Sequence, residues 1–232
     1  MITASNYQDL LKIFAMITMI IDHLGLYFFP EYSLMRLIGR TAMPVFCFFA
    51  GYNFKEQPKS KILLFGILLY LITTILLKQF TAGNILISIY IGQCYLCLFR
   101  NKLHNIIVGS MHIVILGVLG PVTCFFSDYG SLAVAVMVCG YLAAEHADEY
   151  FKTAVFISII LSILHTFTVF KFSNVYFKTI IILGALEYFL MTIKTFDQEI
   201  LLNINISVIS RNMLFIYVFH LIIMQMIFFG MF

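Results

Sequence analysis

Asp22 and His23 stand side by side in "MIIDHLGLYFF", from Met19 to Phe29, an apolar stretch that carries no other charge. A polar group taken into hydrocarbon costs several kcal/mol unless something satisfies it. These two cannot serve each other, because successive helical side chains point about 100° apart. Their partners must come from another segment or from a substrate. An imidazole titrating near neutrality is suited to moving a proton, and a nearby carboxylate can orient it or balance its charge. A second intramembrane histidine, His220, sits in "FIYVFHLII". His23 lies about 12 residues into its run and His220 about 7 into the last, roughly 18 and 10 Å deep. If both runs start at the same face, the two depths differ by only about 8 Å and the rings can share a polar cavity.

Arg36 and Arg40 in "RLIGRTAMPVF" are four apart, so a helix puts them on one face. A guanidinium fork suits a carboxylate or phosphate, and Asp22 is the obvious carboxylate. The bland alternative is an interfacial anchor. Gly39 permits close backbone approach, and Pro44 is expected to kink the span early. Asn84, in "TAGNIL", has the position of a helix cap. Gly120-Pro121 is expected to bend a span near its end, and Asp128-Tyr129-Gly130 to form an ordinary turn. His112 and His165 lie inside spans without ionisable neighbours and are read as packing residues. Glu187, in "GALEYFL", is equally compatible with function and with snorkelling to an interface.

The elements that must hold these groups follow from composition. Of 232 residues, 62% are apolar and 11% charged, with a mean hydropathy of +1.01. Soluble domains carry about 25% charge, so the chain is read as a polytopic membrane protein, one domain over 1–232. The net charge of +3 comes from scattered basic residues, which excludes nucleic acid as an expected partner. Cys47, Cys94, Cys97, Cys124 and Cys139 all lie in apolar runs, so neither a disulfide framework nor a metal site is expected. Polar residues precede an apolar stretch from Leu11 to Phe29 that is too long for a signal-peptide core, and it is read as an uncleaved first span.

The apolar runs are 11–29, 37–54, 60–78, 84–99, 106–126, 129–145, 153–170, 175–193 and 213–231, with 37–54 and 84–99 the weakest. The expected fold is an all-α integral membrane bundle of about eight or nine transmembrane helices. With the N-terminus cytoplasmic, nine basic residues (Lys12, Lys55, Lys59, Lys61, Arg100, Lys102, Lys152, Lys194, Arg211) fall inside. Five (Arg36, Arg40, Lys78, Lys171, Lys178) fall outside, and this bias favours that orientation. The chain shows no internal repeat of the kind many transporters are built from.

"IDHLGLYFF", "GRTAMPVFCFFAGYN", "GNIL", "GP…YG" and "FIYVFHL" follow one another in the order and approximate spacing of the TraX family, over roughly 11–140 and 211–232. The resemblance implies a multi-pass protein of the bacterial inner membrane that acetylates the N-terminus of F-type pilin, related to the acyltransferase type 3 group. Met43 replaces an aromatic residue of the family pattern, a conservative apolar change. The matching positions are Asp22, His23, Arg40, Asn84 and His220. On this reading acetyl-CoA is the acyl donor and a pilin subunit, or another envelope acceptor such as a glycan or lipid, receives the acetyl group. His23 is the expected general base, Asp22 is held by Arg40, and His220 assists the thiolate or polarises the thioester, with the two histidines interchangeable. Asn84, Arg36 and Tyr217 are candidate substrate-binding residues, and Arg100 and Lys102 are candidates for the coenzyme A phosphates. A proton-coupled transporter and a non-catalytic assembly subunit are the rival classes.

Overall fold

The computed structural model describes residues 5–78, 83–170, 176–193, 199–200 and 206–230. Helix α1 spans Tyr7–Tyr27 and opens on a capping box: the Asn6 side chain accepts from Asp9 N–H while the Asp9 carboxylate accepts from Asn6 N–H. Just before it, the two-residue strand β1 (Ser5–Asn6) pairs antiparallel with β2 (Glu199–Ile200). The remaining helices are α2 (Ser33–Gly39), α3 (Ala42–Tyr52), α4 (Ser60–Leu77), α5 (Ile85–Leu103), α6 (Ile106–Thr123), α7 (Gly130–Glu145), α8 (Ala147–Phe170), α9 (Phe177–Thr192), α10 (Ser207–Arg211) and α11 (Met213–Phe228).

Every apolar run marked in the sequence overlaps a helix. Five segments are long and apolar enough to cross a bilayer: Tyr7–Tyr27, Ser33–Tyr52, Ser60–Leu77, Ile106–Thr123 and Tyr150–Phe167; α7 and α11 are shorter apolar helices. Leu64, Leu71 and Ile75 on α4, and Ile107, Val114, Val118 and Val122 on α6, face outward. So much exposed aliphatic surface suits lipid and not water. The chain is a helical membrane protein.

One sequence expectation needs correction and a second is met in the same segment. The run 37–54 is not one rod: the helix breaks at Arg40-Thr41, and α3 begins afresh at Ala42. Pro44 lies in the first turn of α3, and the break falls at Arg40-Thr41, four and three residues before it, where its ring and missing N–H interrupt the helical ladder; the early kink expected from the sequence is found within the span Ser33–Tyr52. Pro121, by contrast, stays within α6, which continues to Thr123.

Helix α7 is the hub, with every residue from Leu132 to Ala143 buried. It packs against α3, α5, α6 and α8. Its contact with α3 is set by a reciprocal glycine pair. A Cβ on Gly51 would fall 1.9 Å from the Met137 carbonyl oxygen, and one on Gly140 would fall 2.0 Å from that of Phe48. Backbones brought this close gain dispersion where the hydrophobic effect cannot drive helix association. A third close approach joins α1 to α2, where a Cβ on Gly39 would fall 2.1 Å from Asp22 Cβ. That contact fixes the helix break beside the acid–histidine pair.

Candidate functional site

A cavity of 1010 Å³ runs along α1, between Lys12 and Leu26. At 1.5 Å per residue the path from Lys12 to His23 is about 16 Å. One end is basic: Lys12, Lys59, Lys61 and Arg211 line it, the last three exposed. Its middle is apolar, walled by Met16, Met19, Phe46, Phe49 and Ile89. The far end gathers Asp22, His23, Arg36, Arg40, Asp128, Tyr129 and Tyr217.

His23 Nδ1 lies 2.8 Å from His220 Nε2, and His220 Nδ1 lies 3.0 Å from the carbonyl oxygen of Ile216. A carbonyl only accepts, so His220 Nδ1 must carry the proton. In a neutral His220, Nε2 is then an acceptor, and the proton between the rings belongs to His23 Nδ1. Neutral His23 is left with its lone pair on Nε2. The donor–acceptor bookkeeping assigns a relay from Ile216 O through His220 to His23, ending in an unprotonated imidazole nitrogen. His23 lines the cavity and His220 stands behind it. The second histidine holds the first by a hydrogen bond and is not among the cavity-lining residues. Nor is the partner of His23 a carboxylate.

Asp22, 8% exposed, turns to α2 instead. Its Oδ2 lies 2.8 Å from Arg36 Nη1 and 3.8 Å from Arg40 Nη2. The same Arg36 nitrogen donates to the Asp22 carbonyl oxygen at 3.1 Å. Arg40 holds Asp22 as the sequence suggested, and Arg36 joins it with the shorter contact. Arg40 donates to the Tyr129 hydroxyl and lies 5.6 Å from the centre of the Tyr129 ring. His165 packs its ring 4.8 Å from that of Tyr129 and contacts Cys124 Sγ at 3.4 Å. It supports the wall from behind; His112 lies elsewhere, its Nδ1 pairing with the Tyr95 hydroxyl between α6 and α5. Glu187 is buried, and among the described residues its Oε1 has no hydrogen-bond partner.

The loop before α7 supplies two side chains that sequence reasoning placed only in a turn. Tyr129 adopts φ 64° and Gly130 φ 47°, which ends the loop abruptly at the start of α7. The loop is tied to the segment before α5: Asp128 N–H donates to Gly83 O at 2.6 Å, Gly83 N–H donates to Phe126 O at 3.0 Å, and Ser88 Oγ donates to Asp128 O at 2.7 Å. Held this way, the Asp128 side chain is exposed to the cavity although protein surrounds it. Burial pushes its carboxyl up to about 6, against the opposing pull of Arg40 and Arg36. The signal in the sequence was an acid followed by an aromatic residue and glycine between two apolar runs.

The remaining sequence candidates divide cleanly. Tyr217 lines the cavity, its ring 6.3 Å from that of His23. Asn84 does not: its oxygen caps α5 by accepting from Leu86 and Ile87 N–H, and its nitrogen donates to Gly66 O at 2.9 Å. Its work is to join α4 to α5. Arg100 and Lys102 lie in the last turns of α5, away from the cavity wall, with Lys102 Nζ 5.9 Å from the Phe99 ring centre. At the end of the cavity away from Arg36 and Arg40, the basic lining groups are Lys12, Lys59, Lys61 and Arg211.

A family model described as TraX protein matches residues 7–228 of the chain. The chain is also 46% identical over 233 residues to the uncharacterized protein RP591 of Rickettsia prowazekii (strain Madrid E), covering 97% of this chain and 93% of that protein. No solved structure matches. A match running from the start of α1 to the end of α11 includes every wall of the cavity, and the chain belongs to the TraX family.

Proposed function

We propose that this protein is a multi-pass acetyltransferase of the bacterial inner membrane that moves an acetyl group from acetyl-CoA to the N-terminal amine of a pilin subunit. The observation that carries the catalytic part is the His23–His220–Ile216 hydrogen-bond chain, which leaves the lone pair of a neutral His23 on Nε2, in a residue that lines a cavity with a basic rim. The pilin acceptor rests on the family resemblance. In this reading nine spans cross the membrane with the N-terminus cytoplasmic, so the basic rim opens toward the cytoplasmic pool of acetyl-CoA. Lys59, Lys61 and Arg211 take the coenzyme phosphates, in place of Arg100 and Lys102. The pantetheine arm follows the apolar middle and brings the thioester to His23. His23 Nε2 takes a proton from the attacking amine as nitrogen bonds to the acetyl carbon, and returns it to sulfur as the C–S bond breaks. Asp22, Arg36 and Arg40 hold the surrounding wall in a fixed geometry.

The test is isotopic. Membranes containing the protein receive acetyl-CoA labelled in the acetyl group together with a processed pilin subunit, and intact-mass and N-terminal peptide spectra locate the label. Wild type places it on the pilin amine. His23→Ala, at matched abundance, loses about 10²- to 10⁴-fold in rate, the usual contribution of a positioned base. Label on a glycan or lipid hydroxyl keeps the transferase and replaces the acceptor. Transfer to no acceptor from folded wild-type protein removes the enzymatic reading and favours the transporter class.

A further inference from the structure

Asp22 is committed to its arginines, yet the cavity holds a second carboxylate. Asp128 faces the same space, and among the described residues its side chain makes no hydrogen bond or salt bridge. Three backbone and hydroxyl bonds fix the loop that carries it. The groups facing it come from every neighbouring element: Asp22 and Tyr27 on α1, Arg36 on α2 and Arg40 at the break after it, Cys124 and Tyr129 on its own loop, and Tyr217 on α11. Tyr217 lines the same cavity as this carboxylate and His23, its ring 6.3 Å from that of His23 and 5.7 Å from that of His220.

We infer that Asp128 is the recognition group for a cationic amine: it binds the acceptor as an ammonium ion and takes the first of the two protons that the amine must lose. The inference rests on the acetyl-transfer reading and adds to it the step that makes an amine nucleophilic. The ammonium gives one proton to the Asp128 carboxylate, leaving a neutral amine. The nitrogen then attacks the acetyl carbonyl carbon, His23 Nε2 removes the second proton, the C–S bond breaks, and that second proton passes to the sulfur. The products are an amide, a free thiol and one proton on Asp128, which leaves to solvent. A hydroxyl acceptor needs only the His23 step, so Asp128 is also what makes the site selective for amines. A carboxyl titrating at about 6 is ionised at neutral pH and binds the ammonium as an ion pair; taking its proton is uphill by about a hundredfold against an amine of pKa near 8, which the gain in binding the charged acceptor offsets.

The test uses a membrane-soluble peptide with a free N-terminal alanine, full-length protein in membranes and labelled acetyl-CoA, comparing wild type, Asp128→Asn and Asp128→Glu at matched abundance. A free α-amino group has a pKa near 8, so only about 3% is neutral at pH 6.5 and about 90% at pH 9. Wild type is expected to plateau in kcat/KM above about pH 6. Asp128→Asn should fall roughly thirtyfold below it at pH 6.5 and return to within about threefold at pH 9, following the amine's own ionisation. Asp128→Glu should recover a measurable part of the loss. Equal activity of Asp128→Asn and wild type at both pH values overturns the assignment. So does an equal loss at both pH values that glutamate does not repair, because that marks a structural role for the loop. If wild type labels no amine at all, the acetyl-transfer reading fails first and takes this one with it.

Discussion

At the scale of residues, the site is built from two adjacent side chains that serve different partners. Asp22 faces α2 and His23 faces α11, so the "DH" pair is divided between an ion pair and a histidine relay. If His220 acts by fixing the tautomer of His23, its replacement must preserve an acceptor opposite His23 Nδ1. His220→Gln is expected to keep more activity than His220→Ala, with the loss in kcat and little change in KM for acetyl-CoA. Equal loss in both variants would show that the acceptor is unimportant. The ion pair makes a separate demand. Arg36→Ala leaves a buried carboxylate with only the 3.8 Å contact to Arg40, and breaking such a pair costs about 3–5 kcal/mol. A markedly lower melting temperature of the detergent-solubilised variant checks this; an unchanged one would mean that Asp22 is held by Arg40 alone.

At the scale of elements, glycines determine where backbones meet. Gly140 of α7 lies against the Phe48 carbonyl of α3, an atom with no side-chain freedom to yield. Gly140→Ala is expected to cost about 1–3 kcal/mol by overpacking, read as a lower melting temperature. Gly117→Ala on α6 is the control, because its Cβ would meet only Leu161 Cδ2, at 3.0 Å, at the end of a flexible side chain. If both variants melt alike, the α3–α7 seam is looser than its geometry. The broken α2–α3 rod follows the same logic. Gly39 lets α2 reach α1, and the restart at Ala42 carries Arg40 toward Tyr129 while Arg36 stays on Asp22.

At the scale of the whole molecule, the cavity has polarity: a basic end, an apolar middle and a mixed acid, imidazole and guanidinium end. That gradient sorts a phosphate-bearing donor from its acceptor only if the basic end faces the compartment that holds the donor. Lys55, in the connection between α3 and α4, and Lys78, at the end of α4, must then lie on opposite sides of the membrane. Single-cysteine variants Lys55→Cys and Lys78→Cys, on a background with the five native cysteines replaced, are expected to react with an impermeant maleimide from the cytoplasmic and external faces respectively. Reaction of both from one face would remove α4 as a crossing and reverse the direction of donor access.

What the sequence determined by itself was the solvent and the odd residues out. Apolar runs with short polar breaks dictate a helical membrane bundle, because backbone polar groups in lipid can be satisfied only internally. Within such runs Asp22, His23, Arg36, Arg40 and His220 are conspicuous by energetic cost alone, and all five meet at one site or directly behind it. Asn84 was legible as a cap for the same local reason. Pairing was not legible. Which arginine makes the shorter contact with Asp22, what His23 faces, and which lysines line the cavity depend on how helices far apart in sequence rotate against one another. Charge and membrane side alone point to Arg100 and Lys102; tertiary packing puts Lys59, Lys61 and Arg211 on the cavity instead. Asp128 reads as a turn residue at every local level. Only the hydrogen bonds that tie its loop to Gly83 and Ser88, from a distant segment, aim it into the site.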